Sequence, residues 1–106
     1  MKLHVRYRHV TFTRELEQLV TRRVQAALAR FAHVIADVRV TLADVNGPRG
    51  GIDKTCRVEV AGPRLGSIVI AAAAAEVRVA LDEAVGRVAR TTARALHRRR
   101  PIGGLA

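Results

Sequence analysis

The sequence predicts an α+β fold in which four strands form one mixed sheet and two helices pack on one of its faces. Two patterns indicate this fold. Apolar side chains alternate with polar ones in four short segments, whereas in two longer segments they recur every three or four residues. The segments follow the order β-α-β-β-β-α without an internal repeat or a linker. The 106-residue chain is therefore predicted to be one domain, 1–106, with an ordered core at about 3–98 and a flexible tail at 101–106.

The first strand and the first helix have clear local signals. Strand β1 is predicted around residues 3–7, where Leu, Val and Tyr alternate with His and Arg. Helix α1 is expected over about residues 14–31, because Thr13 can cap its start and apolar residues then recur at helical spacing as far as Phe31. These two elements would bury one apolar face each.

The remaining elements follow from turns that separate apolar segments. Strands β2 and β3 are expected around residues 38–43 and 56–60, on either side of a loop rich in Gly. A second turn at 62–64 precedes strand β4 at about 67–72. From about Ala74 a helical period indicates helix α2, which the proline and glycines near the end of the chain stop.

The order of elements also predicts how the strands pair. A strand, a crossover helix and a second strand favour parallel pairing of β1 with β2, whereas the two hairpins make the other pairs antiparallel. With both helices on one face, the opposite face of the sheet is exposed to solvent. That face would display His4, Arg6, Arg8, Arg39, Thr41, Thr55, Arg57 and Glu59.

Composition bounds the class of partner. The net charge is +10, and 17 of the 19 cationic residues are Arg, which indicates a polyanionic partner such as nucleic acid or an acidic membrane. The only aromatic residues are Tyr7, Phe12 and Phe31, so an RNA partner is expected to be bound through its backbone rather than by base stacking. The single cysteine and the lack of a targeting or membrane segment predict an intracellular, cytoplasmic protein.

The positive charge is concentrated on the predicted helices. Six arginines and no acidic residue lie between Gly86 and Arg100, and three of them fall within about 40° of one another around α2. A sparser group on α1 is expected to join them in a single electropositive surface, although a merely solvated helix face remains the alternative. The candidate RNA-binding residues are Arg22, Arg23, Arg30, Arg87, Arg90, Arg94 and Arg98.

One segment superficially resembles a phosphate-binding loop. Residues 47–55 end in Lys-Thr, but the P-loop spacing requires glycines where Pro48 and Asp53 stand, and the segment lies between strands. Asp44 and Asp53 flank this loop and could bind a cation, but loop carboxylates more often cap their own backbone. No nucleotide or metal site is predicted here.

Other candidate catalytic groups have simpler explanations. The four histidines show no ligand spacing, and Cys56 has no second cysteine and falls on the apolar face of its strand, which places it in the core. Asp82 and Glu83 are explained as favourable charges near the start of α2. The sequence therefore predicts a protein that is not an enzyme and has no cofactor, no metal and no small-molecule substrate.

A family resemblance depends on the order of elements together with a few residues. Thr13 opens α1, Phe31 closes it, and the Val-Ala-Leu-Asp segment at 79–82 is followed by three basic residues of α2 at the family's spacing. On these features the chain resembles the ribosome hibernation promoting factor family, also called ribosome-associated inhibitors or sigma-54 modulation proteins, over about residues 3–98. Segments 38–47 and 50–56 are similar to a subgroup of short ribosome-associated relatives.

The resemblance implies a ribosome-binding domain and a function. Members of this family bind the small ribosomal subunit and its 16S-type rRNA in the channel of messenger and transfer RNA, and so silence idle ribosomes in the stress response of stationary phase. No membrane partner is implied. Arg78 stands where the family often has an aromatic residue, and the dimerising domain of the long forms is absent, so a monomer is expected. The family's rRNA contacts carry over to Arg22, Arg23, Arg87, Arg90 and Arg94.

Two other functions remain open from the sequence. The same arginines could serve a general RNA- or DNA-binding regulatory module that has no unique site. Alternatively, the polar sheet face or an open edge strand could pair with another protein chain.

Overall fold

A computed structural model describes residues 1–45 and 52–99, and its elements follow the predicted order. The predicted tail at 101–106 and the loop at 46–51 lie outside the described residues. The elements are β1 (Lys2–Arg8), α1 (Arg14–Leu28), a 3-10 turn (Ala29–Phe31), β2 (Asp37–Asp44), β3 (Lys54–Gly62), β4 (Gly66–Ala74) and α2 (Val77–Arg99).

The four strands form one mixed sheet in the order β1-β2-β3-β4. Strand β1 pairs with β2 in parallel, and the other two pairs are antiparallel, which confirms the predicted fold class and topology. One cross-strand row joins Val5 to Val40, Val40 to Val58, and Val58 to Ile70. The two central valines are buried and the two outer residues are only half-buried, so the helices cover the middle of the sheet best.

Both helices contribute to one hydrophobic core on one face of the sheet. Helix α2 lies against β3 and β4, and α1 lies beside α2. The side chains of Leu28, Leu42 and Leu81 are fully buried, one each from α1, β2 and α2. Burial of each such side chain contributes about 1.5–3 kcal/mol, which makes this shared core the main source of stability.

The boundaries of the helices follow local hydrogen bonding. The Thr13 hydroxyl accepts a hydrogen bond from the backbone N–H of Leu16 at 3.0 Å, which caps the start of α1 as predicted. Helix α2 starts at Val77 rather than near Ala74, because β4 continues two residues beyond its predicted end and Ala74 still pairs with Lys54. An alanine run has no periodicity that separates strand from helix, which explains the difference.

Gly62 ends β3 at a point where the backbone has no room for a side chain. A Cβ atom there would overlap the carbonyl oxygen of Val34, in the connection between α1 and β2. The N–H of Leu65 donates to the carbonyl of Gly62 at 3.0 Å and closes the turn into β4. Glycine is therefore required for the close approach of two backbone segments.

Candidate nucleic-acid interface

The most concentrated positive charge lies along α2. We call Arg87, Arg90, Arg94 and Arg98 the basic stripe; all four side chains are exposed. Within the described residues, no arginine of the basic stripe forms an ion pair with a carboxylate. Their charges are therefore available to an anionic partner.

The basic stripe lies on the flank of α2 that faces the edge strand β4. The Nη1 atom of Arg87 donates a hydrogen bond to the carbonyl oxygen of Ala71, in β4, at 3.0 Å. Arg94 and Arg98 lie within about 40° of each other around the helix axis, with Arg87 between them, so they share that flank. The stripe thus follows the outer border of the helical layer.

The three predicted residues of the first helical segment have different surroundings. The Nε atom of Arg23 donates to Oδ1 of Asp82, on α2, at 2.8 Å. The guanidinium of Arg30 lies 4.6 Å from the centre of the Phe31 ring, in a cation–π contact. Arg22 lines a groove between α1 and β1. Among the ion pairs of the described residues, Arg23 is the only one of these three that is paired with a carboxylate.

The predicted arginines of the two helices are spread across the helical layer. Arg22 lies on the β1 side of the helical layer and Arg87 on the β4 side, at opposite edges of the sheet. Consecutive residues differ by about 100° around a helix, so Arg22 turns away from α2 when Arg23 faces it. The charge therefore wraps around the helical layer, and the Arg23–Asp82 pair interrupts it.

Asp82 consequently has a different role from the one expected for it. The first turn of α2 contains no acidic residue, so Asp82 is not placed to interact with the positive end of the helix dipole. Its carboxylate instead joins the two helices through Arg23, with the two side chains 53% and 44% exposed. An ion pair this exposed is worth at most about 1 kcal/mol.

A second group of cations lies on the open face of the sheet. The sequence predicts that this face is open to solvent but did not lead us to place a binding site there. Arg6 and Arg57 flank Thr41 in one cross-strand row, and Arg39 lies two residues before Thr41 on β2. These residues border a shallow depression of about 380 Å³. The alternation of these arginines with apolar residues along the strands is the sequence signal for this group. The site was assigned to α2 instead because the arginines are more closely spaced there.

A groove of about 510 Å³ opens between β1 and α1. The rings of Tyr7 and Phe12 meet there edge to face, with centroids 5.2 Å apart and planes at 73°. Phe12 remains 56% exposed. The three aromatic residues showed no cluster in the sequence, but the fold brings two of them together. The groove is lined by Leu3, Val5, Tyr7, Phe12, Glu17, Gln18, Thr21 and Arg22.

The environment of Tyr7 in this groove changes its pKa. Burial, and then the negative charge of Glu17, raises the pKa of Tyr7 above its ordinary value of 10.0. Its hydroxyl is buried and has no hydrogen-bond partner among the described residues. The phenol is therefore neutral at physiological pH.

The loop-flanking carboxylates are joined by a lysine. The Nζ atom of Lys54 lies 2.9 Å from Oδ1 of the fully buried Asp53 and 3.4 Å from Oδ2 of Asp44. Its pKa is raised, chiefly by the hydrogen bond to Asp53. The ammonium thus takes the position between the two carboxylates that a bound cation would need. Cys56 is fully buried, which confirms its core position, and burial raises the pKa of its thiol to about 12.

Residues 1–45 and 52–99 contain no group of three or more His, Cys, Asp or Glu side chains that could hold a metal ion. In the same part of the chain, no helix is both long enough and apolar enough to cross a membrane.

Comparison with known proteins gives the family. Residues 3–100 match the family model described as sigma 54 modulation protein / S30EA ribosomal protein. The chain belongs to this family. The match covers both helices and all four strands, and it confirms the resemblance that the sequence showed. No curated protein sequence matches the chain.

Solved structures share the fold of this family member. The N-terminal domain of Protein Y from Thermus thermophilus is 20% identical and aligns with a TM-score of 0.72, over 89% of this chain and 98% of that domain. A ribosomal subunit interface protein from Coxiella burnetii is 12% identical and aligns with a TM-score of 0.73, over 92% of this chain and 99% of its own. At these identities the likeness establishes the fold alone.

Proposed function

We propose that this chain is a ribosome-associated translation inhibitor that binds the rRNA of the small ribosomal subunit through the arginines of its helical layer. The observation that carries the proposal is the basic stripe: four exposed arginines, free of carboxylates within the described residues, in a chain of a ribosome-associated family. The proposed contact residues are Arg22, Arg23, Arg30, Arg87, Arg90, Arg94 and Arg98.

Arginine suits a backbone contact with RNA. Its planar guanidinium donates two parallel hydrogen bonds to a phosphate, and each phosphate that is neutralised releases condensed cations. The sheet behind the helices holds these groups at fixed spacings, so a particular arrangement of rRNA phosphates is selected by shape. Arg23 joins this set when a phosphate replaces Asp82 as its partner.

The proposed mechanism is steric exclusion. A rigid domain that occupies the RNA-lined channel of the small subunit prevents messenger and transfer RNA from binding there. No covalent bond is made or broken, and the chain acts as a monomer in the cytoplasm. The effect is reversible because the contacts are non-covalent, and the affinity falls as the salt concentration rises because binding depends on counterion release. Such binding suits the silencing of idle ribosomes during stress and stationary phase.

Co-sedimentation with purified small subunits tests this proposal. The variant R87Q/R90Q/R94Q removes three charges of the basic stripe, and R6Q/R39Q/R57Q removes three from the open sheet face. We expect the stripe variant to lower the slope of log affinity against log salt by about 2–3, at about 0.7–0.9 for each phosphate contact. The sheet-face variant should retain most of the affinity.

The outcomes separate this proposal from unspecific attraction. Equal losses in the two variants would mean that net charge alone drives binding, and unchanged binding of the stripe variant would reject the surface. Circular dichroism of both variants checks the fold, because Arg87 also contacts the backbone of β4.

The arginines of the open sheet face support one second candidate, a general RNA-binding module. Cations on both faces of the domain allow it to bind RNA in more than one orientation. Filter binding to small subunits and to random RNA at physiological salt distinguishes the two functions. A preference for subunits below about tenfold, or about 1.4 kcal/mol, would favour the general module.

A further inference from the structure

We infer that the groove between β1 and α1 binds one unpaired nucleotide of the RNA, with its base against Phe12 and its phosphate at Arg22. This inference rests on the proposed function, because it takes RNA as the partner. It adds a base-binding site to a surface that otherwise contacts only phosphates.

The shape and lining of the groove suit a nucleobase. Its volume of about 510 Å³ lies within the range of about 300–1,000 Å³ that is typical of small-molecule sites. Leu3 and Val5 are half-buried and form an apolar wall. The edge-to-face contact with Tyr7 holds the ring of Phe12, and with 56% of Phe12 exposed the ring keeps surface that a base can stack on.

Polar groups of α1 form the opposite wall of the groove. Gln18 and Arg22 are four residues apart and lie on the same side of the helix. An amide both donates and accepts hydrogen bonds, so Gln18 can pair with the edge of a base, whereas Arg22 can grip the adjoining phosphate. The hydroxyl of Thr21 donates to the backbone carbonyl of Glu17 at 3.0 Å. This wall therefore offers Gln18 and Arg22 as the recognition groups.

Charge favours RNA over a protein strand at this edge of the sheet. Strand β1 is an edge strand, and an added strand could pair with its free side. Its exposed residues on the open sheet face, opposite the groove, include the cations Lys2, Arg6 and Arg8. A second copy of the chain paired on β1 would bring these cations next to one another, which is unfavourable. Arg22 lines the groove itself, beside the carboxylate of Glu17, and the cations on the other face of β1 add to its attraction for an anionic nucleotide strand at this edge.

A pair of oligonucleotides tests the site directly. One is a short single-stranded RNA, and the other has the same length and charge but abasic positions throughout. Tyr7 is the only tyrosine and the chain has no tryptophan, so its fluorescence reports on the groove. We expect the RNA to bind more tightly than the abasic strand and to quench Tyr7, which the abasic strand should leave unchanged.

Variants of the groove complete the test. Phe12→Ala should weaken binding of the RNA by about 5- to 150-fold, the range for losing one base–aromatic stack, and should not affect the abasic strand. Phe12→Leu keeps an apolar side chain without a π-face and should show most of the same loss. Arg22→Gln should weaken the binding of both oligonucleotides equally, since both carry the phosphates.

Each contrary outcome has a defined meaning. Equal affinity of wild type for the two strands would overturn the base site, while leaving the test of the basic stripe on small subunits unaffected. A Phe12→Leu variant that no longer binds small subunits but still binds both oligonucleotides with wild-type affinity would identify the groove as a protein contact. That result would also overturn the inference.

Discussion

The ion pair between Arg23 and Asp82 leads us to predict a substitution that increases RNA affinity. If RNA phosphates bind Arg23, they must displace the carboxylate that lies 2.8 Å from it. Asp82→Asn removes this competitor. In the wild type the freed carboxylate attracts a counterion when a phosphate binds Arg23, and in this variant it does not, so the slope of log affinity against log salt should steepen by up to about 0.7–0.9. At fixed salt the loss of one nearby negative charge, worth about 1 kcal/mol, should raise affinity about fivefold.

Stability should fall only modestly in this variant. The two side chains are 44% and 53% exposed, and an exposed pair contributes about 0.2–1 kcal/mol, so the melting temperature should fall by no more than about 8 °C. Fluorescence anisotropy of labelled rRNA between about 50 and 200 mM KCl measures the slope. Glu83→Gln is the matched control, since it removes the same charge from α2 without freeing an arginine. A slope that decreases for Asp82→Asn, or that changes equally in both variants, would refute the reasoning.

Three further predictions concern the fold. Gly62→Ala should lower the free energy of unfolding by about 1–3 kcal/mol, because its Cβ overlaps the carbonyl of Val34; an unaltered thermal melt would contradict this. Thr13→Ala should cost about 1 kcal/mol in urea unfolding through loss of the helix cap, and Thr13→Ser should restore it. Above pH 9.0 the unfolded thiol ionises while Cys56 stays protonated in the fold up to about pH 12. Unfolding free energy should therefore fall by up to about 1.4 kcal/mol per pH unit, relative to a Cys56→Ala variant.

Local patterns were sufficient to predict the fold. Alternation in β1 and β2, with an amphipathic helix between them, left parallel pairing as the favoured arrangement, and the register of Val5 with Val40 agrees with it. The two glycine-containing turns predicted the antiparallel hairpins. The uncertain boundary was between β4 and α2, where Ala74 belongs to an alanine run that suits a strand as well as a helix.

The candidate site was less predictable, because it depends on which flank of each helix meets a neighbour. The spacing of Arg87, Arg94 and Arg98 predicts a stripe, but periodicity does not say whether the stripe faces α1 or β4. Likewise, the pairing of Arg23 with Asp82 spans 59 positions, and no local signal connects the two residues. Contacts between distant segments follow from packing, which a single sequence leaves open.

A structure of the chain bound to the small ribosomal subunit tests the central claim most directly. The decisive quantity is the distance from the guanidinium nitrogens of Arg90 and Arg94 to the nearest rRNA phosphate oxygens. We expect values of about 2.7–2.9 Å, with the domain inside the channel of messenger and transfer RNA. A complex in which the basic stripe faces solvent, or in which that channel is empty, would contradict it.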